Sequence, residues 1–153
     1  METIFETIEK NRQDAGNIDI AVAETNSKIA SENPKVNAVV WQDENFTKSE
    51  IERVKKLSSD APLFGLPLLL KELDGNILDT ENSWGNAVLK KQVYKDKFTS
   101  TTIRLLQDAG AVIVGKTNSP ELGLDVITNS KAHGPCLCPQ DTSRNSGGSS
   151  GGA

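Results

Sequence analysis

The sequence contains little cysteine and no long apolar run, and both absences limit what the protein can be. Its 153 residues include two cysteines, too few for the disulfide framework that holds many small secreted proteins together. No stretch reaches the roughly 20 consecutive apolar residues that a membrane-spanning helix needs. Residues 1–6 are acidic and lack the basic start and apolar centre of a secretory signal. We therefore expect a cytoplasmic protein with no membrane partner.

An excess of positive charge is also missing. Lys and Arg number 17 against 21 Asp and Glu, which gives a formal net charge of −4. A general nucleic-acid binder needs a basic face that displaces counterions from phosphates. We interpret the local basic pairs, Lys55-Lys56 and Lys90-Lys91, as solvated surface. The composition therefore argues against direct binding of nucleic acid.

Residues 1–60 are predicted to form an N-terminal helical segment. Apolar residues recur there at helical spacing, which favours helices over residues 1–16, 19–32 and 45–58. Pro34 is expected to end the second helix. Residues 36–41 are rich in β-forming side chains and predict a short strand.

Residues 61–153 have the pattern of an α/β domain. Residues 66–71 and 111–115 are continuous apolar runs of the kind that form strands buried on both faces. The segment between them is predicted to be irregular over residues 74–97 and helical over 99–109. Strands joined by such a crossover form a parallel βαβ unit. A helix is expected to begin near Pro120, and loop structure is expected beyond residue 125.

Two features of this region could carry chemistry, although each has an ordinary explanation by itself. The first apolar run ends at Lys71, which could reach solvent from a strand end or pair with Glu72 or Asp74. The Gly-Gly-Ser-Ser-Gly-Gly stretch at residues 147–152 has the composition of a flexible linker. Neither feature alone indicates a function.

Lys71 and the Gly/Ser stretch belong to a set of three sequence blocks. The blocks are Pro-Leu-Phe-Gly-Leu-Pro-Leu-Leu-Leu-Lys-Glu at 62–72, Asp-Ala-Gly-Ala-Val-Ile-Val-Gly-Lys-Thr-Asn-Ser-Pro-Glu at 108–121, and Asn-Ser-Lys-Ala-His-Gly-Pro at 129–135, followed by the Gly/Ser stretch. In order and approximate spacing they resemble the amidase signature family. The resemblance implies an α/β fold, the N-terminal part of a mixed central sheet covered by helices. It implies that the chain is truncated within the Gly/Ser-rich motif.

The resemblance also implies that carboxylic amides are hydrolysed by a Ser-cisSer-Lys mechanism, without a metal or an organic cofactor. Lys71 matches the catalytic lysine of the family. Ser149 matches the bridging serine, which the family holds next to a cis peptide bond. The family's attacking serine lies beyond residue 153, so we expect residues 1–153 alone to be inactive. Substrate-binding and oxyanion residues stay unassigned.

The chemistry of these residue types agrees with those roles. A serine hydroxyl is a poor nucleophile until a base removes its proton. Lysine is such a base only in its neutral form, which burial beside residues such as Leu68, Leu69 and Leu70 favours. A second hydroxyl can relay the proton because it both donates and accepts. Flanking glycines let backbone N–H groups approach an oxyanion closely.

Parts of the sequence depart from the family's pattern or suggest other chemistry. Glu72 stands where the family most often has Asp, and Asn145-Ser146 replaces a more common Val/Thr-Pro pair, so the resemblance does not fix the geometry of that loop. His133, Cys136 and Cys138 lie close together, but the fourth ligand and Cys-x2-Cys spacing usual in closed zinc sites are not evident. The histidine also lacks a Gly-x-Ser-x-Gly partner. We therefore expect reduced thiols, no metal site and no Ser-His hydrolase.

Two other functions stay open beside a stand-alone amidase. The A subunit of glutamyl-tRNA(Gln) amidotransferase has the same amidase core and works with partner subunits, so Lys71 and Ser149 do not discriminate between the two. A truncated, non-catalytic protein is the other alternative. The predicted ligand is a small-molecule amide. A homodimer and a complex with partner subunits both stay open as assemblies.

Overall fold

Apolar strands form a mixed sheet at the centre of the fold. In the computed structural model, which describes residues 3–153, β1 (Val39–Trp41) pairs antiparallel with β3 (Val112–Thr117), and β2 (Pro67–Lys71) runs parallel to the other edge of β3. All six residues of β3 are buried, as expected for a strand with neighbours on both sides and helices on its faces. The structure confirms the predicted α/β class and the parallel βαβ unit.

Side chains cap two of the three helices of the N-terminal segment. These helices are α1 (Ile4–Gln13), α2 (Asn17–Val36) and α3 (Glu44–Val54). Before α1, the Thr3 hydroxyl accepts a hydrogen bond from Glu6 N (3.2 Å), and the Glu6 carboxylate accepts one from Thr3 N (2.7 Å). Before α3, Asp43 accepts one from Phe46 N (2.8 Å). These caps satisfy N–H groups that a helix start leaves unpaired, and the three predicted helices are confirmed.

The second helix does not end at Pro34, so that prediction is wrong. Pro34 lies inside α2, which continues to Val36 and closes with Asn37 in the left-handed conformation. Proline removes one helical N–H and crowds the preceding turn, but Asn37 N still donates to Asn33 O at 2.8 Å. The Asn33 side chain then bonds both Val39 N and Val39 O (2.7 and 2.8 Å). This amide holds the turn from α2 into β1.

The crossover from β2 to β3 is mostly irregular, as predicted. It also contains a short helix, α4 (Ala87–Lys91), and an isolated bridge between Glu81 and Lys95, neither of which was predicted. The predicted helix near residues 99–109 is α5 (Thr101–Asp108), which buries Ile103.

The chain after β3 differs most from expectation. The helix expected near Pro120 is a single 3-10 turn, Glu121–Gly123. The loop expected beyond residue 125 contains two short hairpins, β4 (Asn129–Ser130) with β5 (Gly134–Pro135) and β6 (Leu137–Cys138) with β7 (Asp141–Asn145). Most of these strands have two residues, which is too short for an alternating pattern to show in the sequence.

The core has two parts because successive side chains of β3 point to opposite faces of the sheet. Val112 and Val114 pack with the apolar residues of α2 and α3, whereas Ile113 packs with Leu70, Ile77 and Ile103. The sheet and the core therefore join residues from both sides of residue 60. The division of the chain into 1–60 and 61–153 remains a prediction. Within residues 3–153, no helix combines the length and apolar character that crossing a membrane requires.

Candidate active site

The end of β2 brings Lys71 to the predicted relay serine. Lys71 is the last residue of the strand and is half-buried. Its Nζ donates a hydrogen bond to Ser149 Oγ at 2.9 Å, although the two residues are 78 positions apart in the sequence. The structure thus places the two predicted site residues in direct contact.

The Gly/Ser stretch is an ordered loop against the sheet, and its linker-like composition is misleading. Its first glycine, Gly147, has a φ of 82°, and the peptide bond between Gly148 and Ser149 is cis. Gly152 is buried so closely against the backbone that a Cβ there would lie 2.6 Å from Ala38 O and 2.8 Å from Asn118 N. Asn118 directly follows β3. The loop therefore lies at the carboxyl ends of the parallel strands, where open α/β sheets usually bind their ligands.

Lys71 does not pair with Glu72, because the Glu72 carboxylate is bonded elsewhere. It accepts hydrogen bonds from Ser83 N (3.0 Å), Ser83 Oγ (2.7 Å) and Gly85 N (3.0 Å). Burial raises the pKa of Glu72, but the hydrogen bonds from His133 and Ser83 together hold it below its ordinary value. Glu72 is thus a buried carboxylate that anchors the crossover to the end of β2.

His133 joins the buried side chains of Glu72 and Ser83 and the exposed Lys90 in one cluster. Lys90 Nζ lies 3.1 Å from His133 Nδ1, and a lysine ammonium can only donate. Nδ1 is therefore the acceptor and the proton is on Nε2. That nitrogen lies 3.1 Å from both Glu72 carboxylate oxygens. Sequence reasoning missed this cluster, because its members are far apart along the chain.

The cluster contains a serine, a histidine and a carboxylate, but not in the order that activates a nucleophile. In a Ser-His-acid triad the serine and the acid bind different ring nitrogens. Here Ser83 Oγ (3.0 Å) and Glu72 both face His133 Nε2, and the Ser83 hydroxyl donates to Glu72. The geometry therefore supports a structural role. The adjoining cavity of about 60 Å³ is far smaller than the roughly 300 Å³ of a typical small-molecule pocket.

The three potential metal ligands have separate hydrogen-bond partners. Cys136 Sγ donates to Gly151 O (3.1 Å) and Cys138 Sγ to the Gln140 side chain (3.2 Å), while His133 bonds Glu72. Across residues 3–153, no three His, Cys, Asp or Glu side chains are grouped to hold a metal ion. Both cysteines are free thiols.

A second lysine, Lys116 on β3, is completely buried beside β2. Its Nζ donates to Thr80 Oγ1 (2.9 Å), Glu81 O (2.8 Å) and Asp96 Oδ2 (3.2 Å). It also lies 5.1 Å from the centre of the Trp41 ring. Burial lowers the pKa of Lys116, although Asp96 opposes that effect. Sequence reasoning assigned no role to this lysine, because its partners lie in the crossover, which has no periodic pattern.

Comparison with known proteins agrees with the fold and with the three sequence blocks. A family model described as Amidase matches residues 21–153. The chain therefore belongs to the amidase signature family.

Proteins of similar sequence include amidohydrolases and part of an amidotransferase. Over 122 residues the chain is 40% identical to a lipoamidase from Enterococcus faecalis, and the match covers 80% of this chain and 16% of the lipoamidase. Over 120 residues it is 38% identical to the A subunit of glutamyl-tRNA(Gln) amidotransferase from Deinococcus deserti, and that match covers 77% of this chain and 24% of the relative. The chain thus spans less than a quarter of the length of either relative.

Among solved structures, 6-aminohexanoate cyclic dimer hydrolase in complex with its substrate matches the fold. The TM-score is 0.87 at 28% sequence identity, over 99% of this chain and 30% of the hydrolase. The chain therefore has the fold of one part of an amidase signature enzyme.

Proposed function

We propose that this chain is the N-terminal part of a cytoplasmic amidase that hydrolyses carboxylic amides through an acyl-serine intermediate. Lys71 would be its base and acid, and Ser149 its relay. The observation that carries the proposal is the 2.9 Å contact between Lys71 Nζ and Ser149 Oγ. Membership of the family and 40% identity to a lipoamidase support it.

In this mechanism Ser149 passes protons between an attacking serine and Lys71. Neutral Lys71 accepts the proton of Ser149, and Ser149 takes the proton of the attacking hydroxyl, whose oxygen bonds to the amide carbon. When the tetrahedral intermediate collapses, the C–N bond breaks and the proton returns through Ser149 to the leaving amine. Water then attacks the acyl-serine with the same proton transfers and releases the acid. Such general acid–base catalysis contributes about 10²–10⁴ in rate.

The proposal is tested with the intact enzyme that contains residues 1–153. Lipoamide, suggested by the lipoamidase relative, and simple carboxylic amides are assayed for release of ammonia or amine. Lys71→Met is expected to lower kcat by about 10²–10⁴, because no base then accepts the proton. The matched control is Lys56→Met, which removes an exposed lysine in the turn that follows α3. Full turnover by Lys71→Met would overturn the proposal.

The attacking serine is proposed to lie outside residues 1–153. The 153-residue chain by itself is therefore expected to release no amine from any of these amides. Turnover by this chain that Lys71→Ala abolishes would show that the attacking group lies within it.

The 38% identity to part of an amidotransferase favours a second candidate function. Such an enzyme would take ammonia from glutamine and deliver it to a misacylated tRNA with the help of partner subunits. Co-purification of partner subunits with the intact protein, together with glutamine-dependent amidation of glutamyl-tRNA, would establish this function. Absence of both activities would leave the non-catalytic alternative.

A further inference from the structure

The loop that carries Ser149 rests on one buried residue, Thr128. Thr128 is fully buried and directly precedes β4. Its backbone N donates to Gly147 O (2.9 Å), and its hydroxyl accepts a hydrogen bond from Gly151 N (3.0 Å). A single residue thus holds the backbone on both sides of Ser149.

The loop backbone lies directly against this threonine. A Cβ at Gly148 would be 2.9 Å from Thr128 Oγ1, and a Cβ at Gly151 would be 2.6 Å from the same oxygen. Real Cβ contacts are essentially never that short. Glycine at these positions therefore allows the hydroxyl to reach the Gly151 N–H.

Asn145 holds Thr128 and the loop together. Its Nδ2 donates to Thr128 O (2.9 Å), and its Oδ1 accepts from Gly147 N (2.8 Å). Asn145 is one of the residues that depart from the family's usual Val/Thr-Pro pair. A valine at position 145 offers neither of these side-chain hydrogen bonds, and a threonine hydroxyl lacks the separate donor and acceptor atoms of the longer amide. The departure thus supplies an anchor for the loop.

We propose that Thr128, braced by Asn145, is the positioning residue of the relay serine. Its hydroxyl fixes the path of the backbone from Gly147 to Gly151 and so keeps Ser149 Oγ within 2.9 Å of Lys71 Nζ. A displacement of about 1 Å in such a site can cost about 10² in rate. The inference rests on the proposed amidase function, because it assumes that the contact between Lys71 and Ser149 transfers protons.

Three variants test the role of the hydroxyl in the intact enzyme. Thr128→Val replaces the hydroxyl by a methyl group of similar size, and kcat is expected to fall about 10–100-fold with little change in KM. Thr128→Ser keeps the hydroxyl and is expected to stay within about threefold of wild type. Thr47→Val, at a buried threonine of α3, is the matched control and is expected to leave kcat unchanged.

A second readout does not depend on activity. In residues 1–153, amide hydrogen exchange of Gly151 N–H is expected to be at least about tenfold faster in Thr128→Val than in Thr128→Ser, since its acceptor is lost. If Thr128→Val does not fold, Asn145→Ala, at a partly exposed position, is expected to accelerate the same exchange and lower kcat.

The outcomes separate this inference from the proposed function. Unchanged Gly151 exchange in a folded Thr128→Val or Asn145→Ala variant would overturn the positioning role. So would full kcat in Thr128→Val when Lys71→Met is inactive, and in that case the proposed function would survive. Full turnover by Lys71→Met would instead refute the proposed function, whatever the rate of Gly151 hydrogen exchange.

Discussion

Lys71 and Lys116 lie on neighbouring strands in opposite environments. The parallel register pairs Leu70 with Lys116 and Lys71 with Thr117, so the two lysines are one position apart. Lys116 is fully buried and forms an ion pair with Asp96, which is also fully buried. Lys71 is half-buried and donates to a serine hydroxyl.

Both lysines follow an apolar run, so the groups that contact each lysine, and not that position, determine what it can do. The Lys116 ammonium donates hydrogen bonds to a hydroxyl, a carbonyl and a carboxylate. All of its donors therefore serve acceptors inside the fold. Lys71 faces a hydroxyl that can both donate and accept. Lys116 is therefore expected to matter for stability and Lys71 for chemistry.

The same substitution at the two lysines is expected to give the strongest contrast. Lys116→Met leaves the Asp96 carboxylate buried without its cation, and we expect a loss of about 3–5 kcal/mol in the free energy of unfolding. Lys71→Met is expected to cost less than about 1 kcal/mol, because Lys71 loses only one hydrogen bond to a neutral group. Urea unfolding of both variants measures the two values. Equal losses would show that the two lysines do not differ in their structural role.

Glu72 links the two lysines, because it follows Lys71 but its charge acts on Lys116. The pKa of Glu72 is held below its ordinary value, so its ionised form stabilises the fold. That contribution is complete above the unfolded pKa of about 4.3 and is lost as the pH falls through the lower, folded pKa.

Glu72→Gln tests this contribution, because glutamine has no carboxylate to protonate. The stability advantage of wild type over Glu72→Gln is expected to be largest near neutral pH and to shrink below about pH 4. Urea unfolding of both proteins between about pH 3 and pH 7 measures the difference. An advantage that grows as the pH falls would contradict the assignment of Glu72 as a stabilising carboxylate.

The contact between Lys116 and Trp41 is expected to contribute least. A cation over an aromatic face at 5.1 Å contributes about 0.5–2 kcal/mol. Trp41 also packs against Phe46, so Trp41→Leu alone does not isolate the contact. A double-mutant cycle of Trp41→Leu with Lys116→Met is expected to give a coupling of about 0.5–1 kcal/mol. The same cycle with Lys71→Met serves as the control and is expected to be additive.

Local sequence pattern predicted the framework of the fold correctly. The apolar runs became β2 and β3, and the intervening helix implied their parallel arrangement, which the structure confirms. These predictions succeeded because strand burial and helix amphipathicity depend on residues that are close together in the sequence. The proline rule failed at Pro34, where the backbone hydrogen bond from Asn37 N to Asn33 O closes the last turn of the helix beyond the proline.

The candidate site was only partly predictable. The order of the motifs indicated Lys71 and Ser149 through resemblance to a family. Nothing in the sequence indicated that Thr128 and Asn145 hold the Ser149 loop, or that Glu72 and His133 form a cluster. Each of these contacts joins residues separated by irregular segments, and such segments have no periodicity from which their path can be inferred.

Sequence pattern and motif order were enough to predict the α/β class, the strand that ends at Lys71 and the family to which the chain belongs. The different roles of Lys71 and Lys116 follow from the fold, because the two lysines end similar apolar runs and differ in the groups that distant segments bring to them. For the Gly/Ser stretch, too, the sequence leaves open what the fold decides. Its composition fits both a linker and a site, and the buried hydroxyl of Thr128 orders it beside Lys71.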